Sequence, residues 1–146
     1  MKVVVQRVSR ACVRVDGEER AEIDKGLLVL LGIQKQDSEA DVIRFAEKLP
    51  KRRFFEDAEG RMNLSLEQVK GSVLVVSQFT LVADLNKGLR PSFIDAMEPS
   101  GAEKMVDLFS NALRSRGINV REGVFGARME VELINDGPVT FIFQGA

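Results

Sequence analysis

The 146-residue chain has the length of one ordinary domain and can bury most of a continuous core; 45% apolar and 29% charged residues place it among globular proteins rather than disordered or membrane-spanning ones. Its 21 Lys and Arg against 22 Asp and Glu give a net charge of −1, so the whole chain lacks the basic footprint of a strong nucleic-acid binder. There is no histidine, which excludes Ser-His-Asp and Cys-His triads and every His-ligated metal, and the one cysteine, Cys12, can form neither an internal disulfide nor a cysteine-based zinc site.

No window approaches the ~18 apolar residues of a membrane helix, and the N-terminus lacks a signal peptide's apolar run and cleavage site. The expected location is cytoplasmic, with no membrane contact. Cys12 stands in the strand-like run Ala11-Cys12-Val13-Arg14-Val15, which reads as a packed thiol rather than a nucleophile.

Residues 2–8 read as a first strand and residues 11–15 as a second, the latter joined to a strand over residues 20–23 by the hairpin signal Asp16-Gly17. Residues 27–33 form an apolar run too short for a core helix, and so a central strand. Ser38 with Asp41 is a capping-box variant that opens a helix, whose Val42, Phe45, Ala46 and Leu49 recur at helical spacing until Pro50 ends it. A short strand over residues 53–56, a turn over residues 57–60 and a loop carrying Met62, Leu64, Leu66 and Val69 follow.

Val73-Leu74-Val75-Val76 reads as a strand buried on both faces, because an exposed strand would alternate apolar with polar residues. After a polar loop over residues 84–90, Pro91 suits the first turn of a short helix reaching Met97. Pro99-Ser100 with Glu103 predicts a second capping box, and Met105, Leu108, Phe109, Ala112 and Leu113 the apolar face of a long helix stopped at Gly117. Residues 118–120, 129–134 and 139–143 complete the strands. Two main helices among many strands predict a mixed α/β domain spanning residues 1–146, with no internal repeat or linker.

Two stretches carry chemistry. Ser77-Gln78-Phe79-Thr80-Leu81 brings two hydroxyls and an amide to the end of the buried strand, where they either turn into a loop or meet a ligand, since buried polar groups are costly without a partner. Asn135-Asp136-Gly137-Pro138-Val139-Thr140 contains an Asp-Gly hairpin signal interrupted by proline, which drives Gly137 out of the helical region and admits a cis peptide. Two carbonyls pointing the same way there would accept hydrogen bonds from an ammonium group. The arginines 7, 10 and 14, the run Lys51-Arg52-Arg53, and Lys87 with Arg90 are basic clusters that read singly as solvated faces, although a transient RNA-end contact needs only a few phosphate partners.

Together these two motifs resemble the D-aminoacyl-tRNA deacylase family, the chirality-proofreading enzymes that release D-amino acids from mischarged tRNA. The likeness runs nearly end to end and takes in Val5-Gln6-Arg7-Val8, Phe55-Glu56-Asp57, Gly60-Arg61-Met62-Asn63, Lys87-Gly88, Arg90-Pro91-Ser92-Phe93 and Phe125-Gly126-Ala127. Pro50 and Arg52 depart from the apolar residues usual in the family there, which leaves the end of the first helix less well defined.

The resemblance implies a three-layer α/β/β fold with helices on one sheet and a second sheet behind. It also implies a homodimer, each site at the subunit interface, with the Gly-Pro turn of one chain reaching into the pocket of the other. Carried over, Gly137 and Pro138 hold the amino group and reject an L side chain by collision, Val139 and Thr140 complete that turn, and Arg7 lies beside it. By residue type alone Arg7 is equally a surface arginine on an edge strand.

Ser77, Gln78, Phe79 and Thr80 would surround the scissile ester, with the N–H groups of Phe79 and Thr80 facing the oxyanion, while Phe125, Gly126 and Met129 border the terminal adenosine. With no base to activate Thr80, the expected mechanism is water attack assisted by the 2′-hydroxyl of the terminal ribose. Glycine has no side chain to collide, so glycyl-tRNA, as mischarged on tRNA-Ala, is a further expected substrate. No cofactor and no metal are expected. The competing readings are a Thr- or Ser-dependent esterase on small D-amino-acid esters and a binding module without turnover.

Overall fold

The computed structural model describes residues 1–86 and 88–145; Lys87, one of the basic residues noted above, lies outside them. In chain order the elements are β1 (Lys2–Val15), β2 (Glu18–Ile23), β3 (Gly26–Gly32), α1 (Glu39–Lys48), β4 (Phe55–Glu56), β5 (Met62–Leu64), α2 (Leu66–Val69), β6 (Ser72–Ser77), α3 (Pro99–Arg114), β7 (Val120–Glu122) and β8 (Glu130–Gln144). Single 3₁₀ turns occupy Leu49–Lys51 and Phe79–Val82.

One strand links two layers. β1 pairs antiparallel with β3 through residues 2–8, then leaves it and pairs with β2 through residues 11–15, while β8 runs antiparallel along its other edge. β3, β6 and β7 continue the first layer as parallel neighbours. Because side chains alternate along a strand, β3 and β6 feed two cores. Leu27, Val29, Leu31, Val73 and Val75 meet Phe45, Phe109 and Leu113 of the helices. Leu28, Leu74 and Val76 meet Val8, Ala11, Val13, Ala21 and Ile23 of the second sheet. This is the mixed three-layer α/β/β arrangement expected, and it explains why both strands read as unbroken apolar runs.

α1 opens on Ser38, whose hydroxyl accepts from the Asp41 N–H while the Asp41 carboxylate accepts from the Ser38 N–H. Pro50 does end it, and Leu49 and Pro50 are buried in a 3₁₀ turn while Arg52 stays exposed with its guanidinium 5.8 Å above the Phe143 ring. The Asp16-Gly17 hairpin has positive φ at both residues, 52° and 78°, the backbone that a two-residue turn between twisted strands demands.

Several expectations need correction. The two strands foreseen over residues 2–15 are one, because register shifts absorb the polar Ser9-Arg10 step without breaking the pairing to β8. Residues 66–69 are a helical turn, not loop, and Ser65 and Gln68 cap it reciprocally, a signal of the same kind as that at Ser38. No helix follows Pro91: Ser92 bridges to Asp84, Ala96 to Gln34, and Met97 N–H donates to Ile33 C=O at 3.0 Å, so long-range partners replace helical ones. The long helix is capped by Glu98 rather than at Ser100, with Pro99 in its first turn. The strand foreseen over residues 53–56 shrinks to Phe55–Glu56, and that foreseen over residues 118–120 becomes Val120–Glu122.

Phe109 is fully buried and stacks on Phe45 at 5.9 Å, joining α3 to α1 over the sheet. Phe109→Ala is expected to lower the unfolding free energy by about 4 kcal/mol. Urea denaturation reads this directly, and a loss below about 1 kcal/mol would show that the helix layer does not depend on this contact.

Candidate active site

β6 ends at Ser77, and the chain turns at once into the 3₁₀ turn Phe79–Val82. The turn packs against the end of β3 only because Gly32 has no side chain: a Cβ there would stand 2.8 Å from the Gln78 carbonyl oxygen. Its first internal bond is Leu81 N–H to Gln78 C=O at 3.2 Å, so the N–H groups of Phe79 and Thr80 precede the ladder and have no backbone acceptor among the described residues. Gln78 Nε2 donates to Thr80 Oγ1.

Beside this turn lies a cavity of about 560 Å³, a volume suited to a nucleoside-sized ligand. Ser77, Gln78 and Phe79 form one wall, Phe125, Gly126, Ala127 and Met129 another, and residues from Phe93 to Ala102 a third. Phe79 and Phe93 meet edge to face, with ring centroids 5.0 Å apart. Phe79 is nonetheless 55% exposed, an aromatic face offered to the opening. Among the described residues Glu98 is the single charged one lining the cavity. The Ser100 hydroxyl and the Gly101 N–H, both donating to its carboxylate, hold its pKa below the usual glutamate value.

A second constellation surrounds the turn in β8. Gln6 faces Thr140 and Val8 faces Asn135, so residues 136–139 loop out opposite Arg7 alone. The Gly137-Pro138 peptide is cis. Arg7 is buried, with a side chain only 4% exposed, and its Nε donates to the Asp136 carbonyl at 2.9 Å and pairs with the Asp136 carboxylate at 3.2 Å. One terminal nitrogen donates to the Phe54 carbonyl at 2.8 Å and the other pairs with Glu56 at 3.4 Å. Asn135 Nδ2 donates to the carbonyls of Arg7 and Val139, at 2.9 and 3.1 Å, and Gln6 Nε2 to Thr140 Oγ1 at 3.2 Å. These side chains take the carbonyls at either end of the turn and leave those of Gly137 and Pro138 without a side-chain donor among the described residues.

The sequence profile of the D-Tyr-tRNA(Tyr) deacylase family matches residues 4–144. The chain belongs to that family. Among its relatives, a D-aminoacyl-tRNA deacylase of Myxococcus xanthus is 54% identical over 99% of this chain and 94% of its own length. Another of the same name, from Cellvibrio japonicus, is 53% identical over 97% of both chains. The family is one of hydrolases, and its members of this name serve in proofreading translation. Among solved structures, c-Myc DNA unwinding element binding protein superposes with a TM-score of 0.92 at 39% identity, covering 99% of this chain and 98% of its own. A probable eukaryotic D-amino acid tRNA deacylase, at 19% identity and a TM-score of 0.83, shares the fold.

Within this deacylase-family chain, the residues singled out from sequence fall into two places. Ser77, Gln78, Phe79, Phe125, Gly126 and Met129 line the cavity together. Thr80 is exposed and does not line it, but is tied to it through Gln78. Arg7, Gly137, Pro138, Val139 and Thr140 belong to the turn, and none of them lines the cavity of their own chain. Asn135 stood in the motif without a role, though its two carbonyl contacts are what close the turn. Phe93 and Glu98 were also overlooked: a wall built by an irregular segment leaves no periodic trace. Cys12 is buried, and burial raises its pKa, so it is a packed thiol. Among the described residues no group of three or more metal-ligating side chains assembles and no helix is long and apolar enough to cross a membrane.

The Glu98 cap makes the α3 wall pH-dependent in a fixed direction. A carboxylate with a lowered folded pKa stabilises above the ordinary value of 4.5, and that contribution disappears as pH falls through the lowered value. Glu98→Gln is therefore expected to be less stable than the parent at pH 7, with the difference closing towards pH 3 in urea melts. A difference unchanged across that range would show that the cap does not depend on charge.

Proposed function

We propose that this protein hydrolyses the ester between a D-amino acid and the 3′-terminal adenosine of tRNA, releasing free D-amino acid and tRNA, with glycyl-tRNA mischarged on tRNA-Ala as a further substrate. The observation that carries the reading is the pair of uncommitted N–H groups at Phe79 and Thr80 beside an apolar cavity of nucleoside size. An ester carbonyl placed over that turn meets two fixed donors where negative charge develops, in a site with little water. The base lies against Phe125, Gly126 and Met129, shielded by Phe79.

Thr80 positions the substrate and does not attack it. Its hydroxyl accepts from the Gln78 amide N–H, a donor that cannot take up a proton, and the chain has no histidine. The substrate's own 2′-hydroxyl assists the attacking water: it accepts the water's proton while passing its own to the departing 3′-oxygen, so that free amino acid and an intact terminal ribose result. Ser77 and Gln78 hold the ester in register with the turn.

The turn works on a second copy of the chain. In one chain it does not line the cavity, while β8 is an edge strand, paired among the described residues only with β1, and it carries exposed Ile134 and Ile142. In a homodimer joined on this face, the Gly137 and Pro138 carbonyls of one subunit receive the substrate ammonium in the cavity of the other, and an L side chain collides with the same main chain. Selection then rests on rejecting the wrong hand rather than on gripping the right one. The setting is the cytoplasm, where charged tRNA is found.

Purified protein is expected to release D-Tyr from D-Tyr-tRNA and to spare L-Tyr-tRNA; cleavage of small D-amino-acid esters with equal efficiency, or no turnover, would contradict this. Thr80→Ala is expected to stay within about tenfold of the parent, since loss of a true nucleophile costs upward of about 10⁴. A Cβ at Gly137 would stand 2.4 Å from Asn135 Oδ1 and displace the turn, so Gly137→Ala is expected to lower the D-to-L ratio of the two rates. An unchanged ratio would remove the turn from selection.

A further inference from the structure

Among the described residues seven of the thirteen arginines pair with a carboxylate, and Arg52, Arg53, Arg61, Arg90, Arg121 and Arg128 do not. Arg10 and Arg14 on β1 pair with Glu22 and Glu132 at 2.7 Å each, and Arg116 with Glu67 at 2.7 Å. Arg128 is different. It is exposed, stands between Ala127 and Met129, both of which line the cavity, and enters no ion pair among the described residues. The turn carrying it is closed by Ala127 N–H to Val124 C=O at 3.2 Å, and Val124 N–H is engaged by Met129 Sδ at 3.3 Å, so its main chain is anchored. The nearest carboxylate in sequence is Glu130, opposite Arg14 in the β1–β8 register. Among the described residues the cavity's single charge is the Glu98 carboxylate, at the α3 wall.

We propose that Arg128 binds a phosphodiester of the RNA whose 3′-terminal nucleoside fills the cavity, so that the strand approaches over the 124–129 turn and keeps clear of Glu98. The inference rests on the tRNA reading above and adds the direction of approach. A nucleoside seated against Phe125 and Met129 carries its 5′-phosphate at the mouth. Arg128 does not itself line the cavity, but its exposed guanidinium, set between two lining residues and without a carboxylate partner among the described residues, can take two phosphate oxygens at once. The carboxylate at the α3 wall repels the same chain of phosphates. Of the other basic residues noted from the sequence, none of Lys51, Arg52 and Arg53 adjoins a cavity-lining residue, and Arg53 is held by Asn63, its Nε donating to the carbonyl at 2.9 Å; Arg90 stands three residues before the lining residue Phe93 rather than beside the base wall.

The test compares D-Tyr-tRNA with D-Tyr-adenosine, which has the ester and the nucleoside but no phosphate, in the full-length parent, Arg128→Gln and Lys70→Gln. Lys70 is exposed at the end of α2, so its substitution removes the same charge elsewhere. Arg128→Gln is expected to raise KM for the tRNA about fivefold and to flatten the log KM against log salt slope by about 0.7. Its kcat/KM on D-Tyr-adenosine and all constants of Lys70→Gln stay at the parent values. The inference is overturned if the tRNA KM and slope do not move, if both substrates suffer equally, or if Lys70→Gln reproduces the effect. A parent that cleaves neither substrate would instead overturn the deacylase reading on which it stands.

Discussion

A buried guanidinium fixes the turn to which the proposal above assigns selectivity. Arg7 projects from the middle of β1 and meets the Asp136 carbonyl and carboxylate, the Phe54 carbonyl and Glu56, with almost no solvent access. A charge in that position is tolerable because acceptors meet it on several sides, and removal of the guanidinium would leave the buried Phe54 carbonyl without that donor. The planar, fixed fork of arginine also sets directions: one edge holds the turn and the other holds the segment before β4. Asn135 closes the turn from the opposite end, through the carbonyls of Arg7 and Val139. What remains unclaimed in between is main chain, at Gly137 and Pro138.

The end of β6, where the proposal places the chemistry, is organised by a different constraint. β6 is buried on both faces, so its end can move little, and the 3₁₀ turn that follows is held against Gly32. It leaves two N–H groups, those of Phe79 and Thr80, without a backbone acceptor among the described residues in a turn beside an apolar cavity. A histidine-free chain that hydrolyses an ester gains little from a weak nucleophile and more from preorganised donors and a substrate that carries its own hydroxyl. The two halves do not meet in one chain. The free edge of β8, with exposed Ile134 and Ile142 beside the turn, supplies a face on which a second copy can bring them together.

Much of the fold was legible because burial on two faces leaves a strong mark. The runs at residues 27–33 and 73–76 had to be central strands, and the spacing of Val42, Phe45 and Ala46 had to be a helix face. The misreadings came where local chemistry competes with long-range partners. Ser9-Arg10 looked like a break although β8 pairs across it, and Pro91 looked like a helix start although Ser92 and Ala96 find bridging partners far away in sequence. In the site, the motif residues at 77–80 and 135–140 were visible from the resemblance. Phe93 and Glu98 were not, because an irregular wall has no period and a glutamate that caps a helix is indistinguishable in sequence from a surface charge. That the cavity and the turn stand apart in one chain is a matter of topology, which the resemblance implied and no local residue pattern shows by itself.

The most direct measurement is a crystal structure with a non-hydrolysable amide analogue of 3′-D-Tyr-adenosine. The account places the adenosine against Phe125 and Met129, the amide carbonyl within hydrogen-bond reach of the Phe79 and Thr80 N–H groups, and the ammonium on the Gly137 and Pro138 carbonyls of a second copy. An analogue bound in that cavity with both copies' turns facing solvent would contradict it.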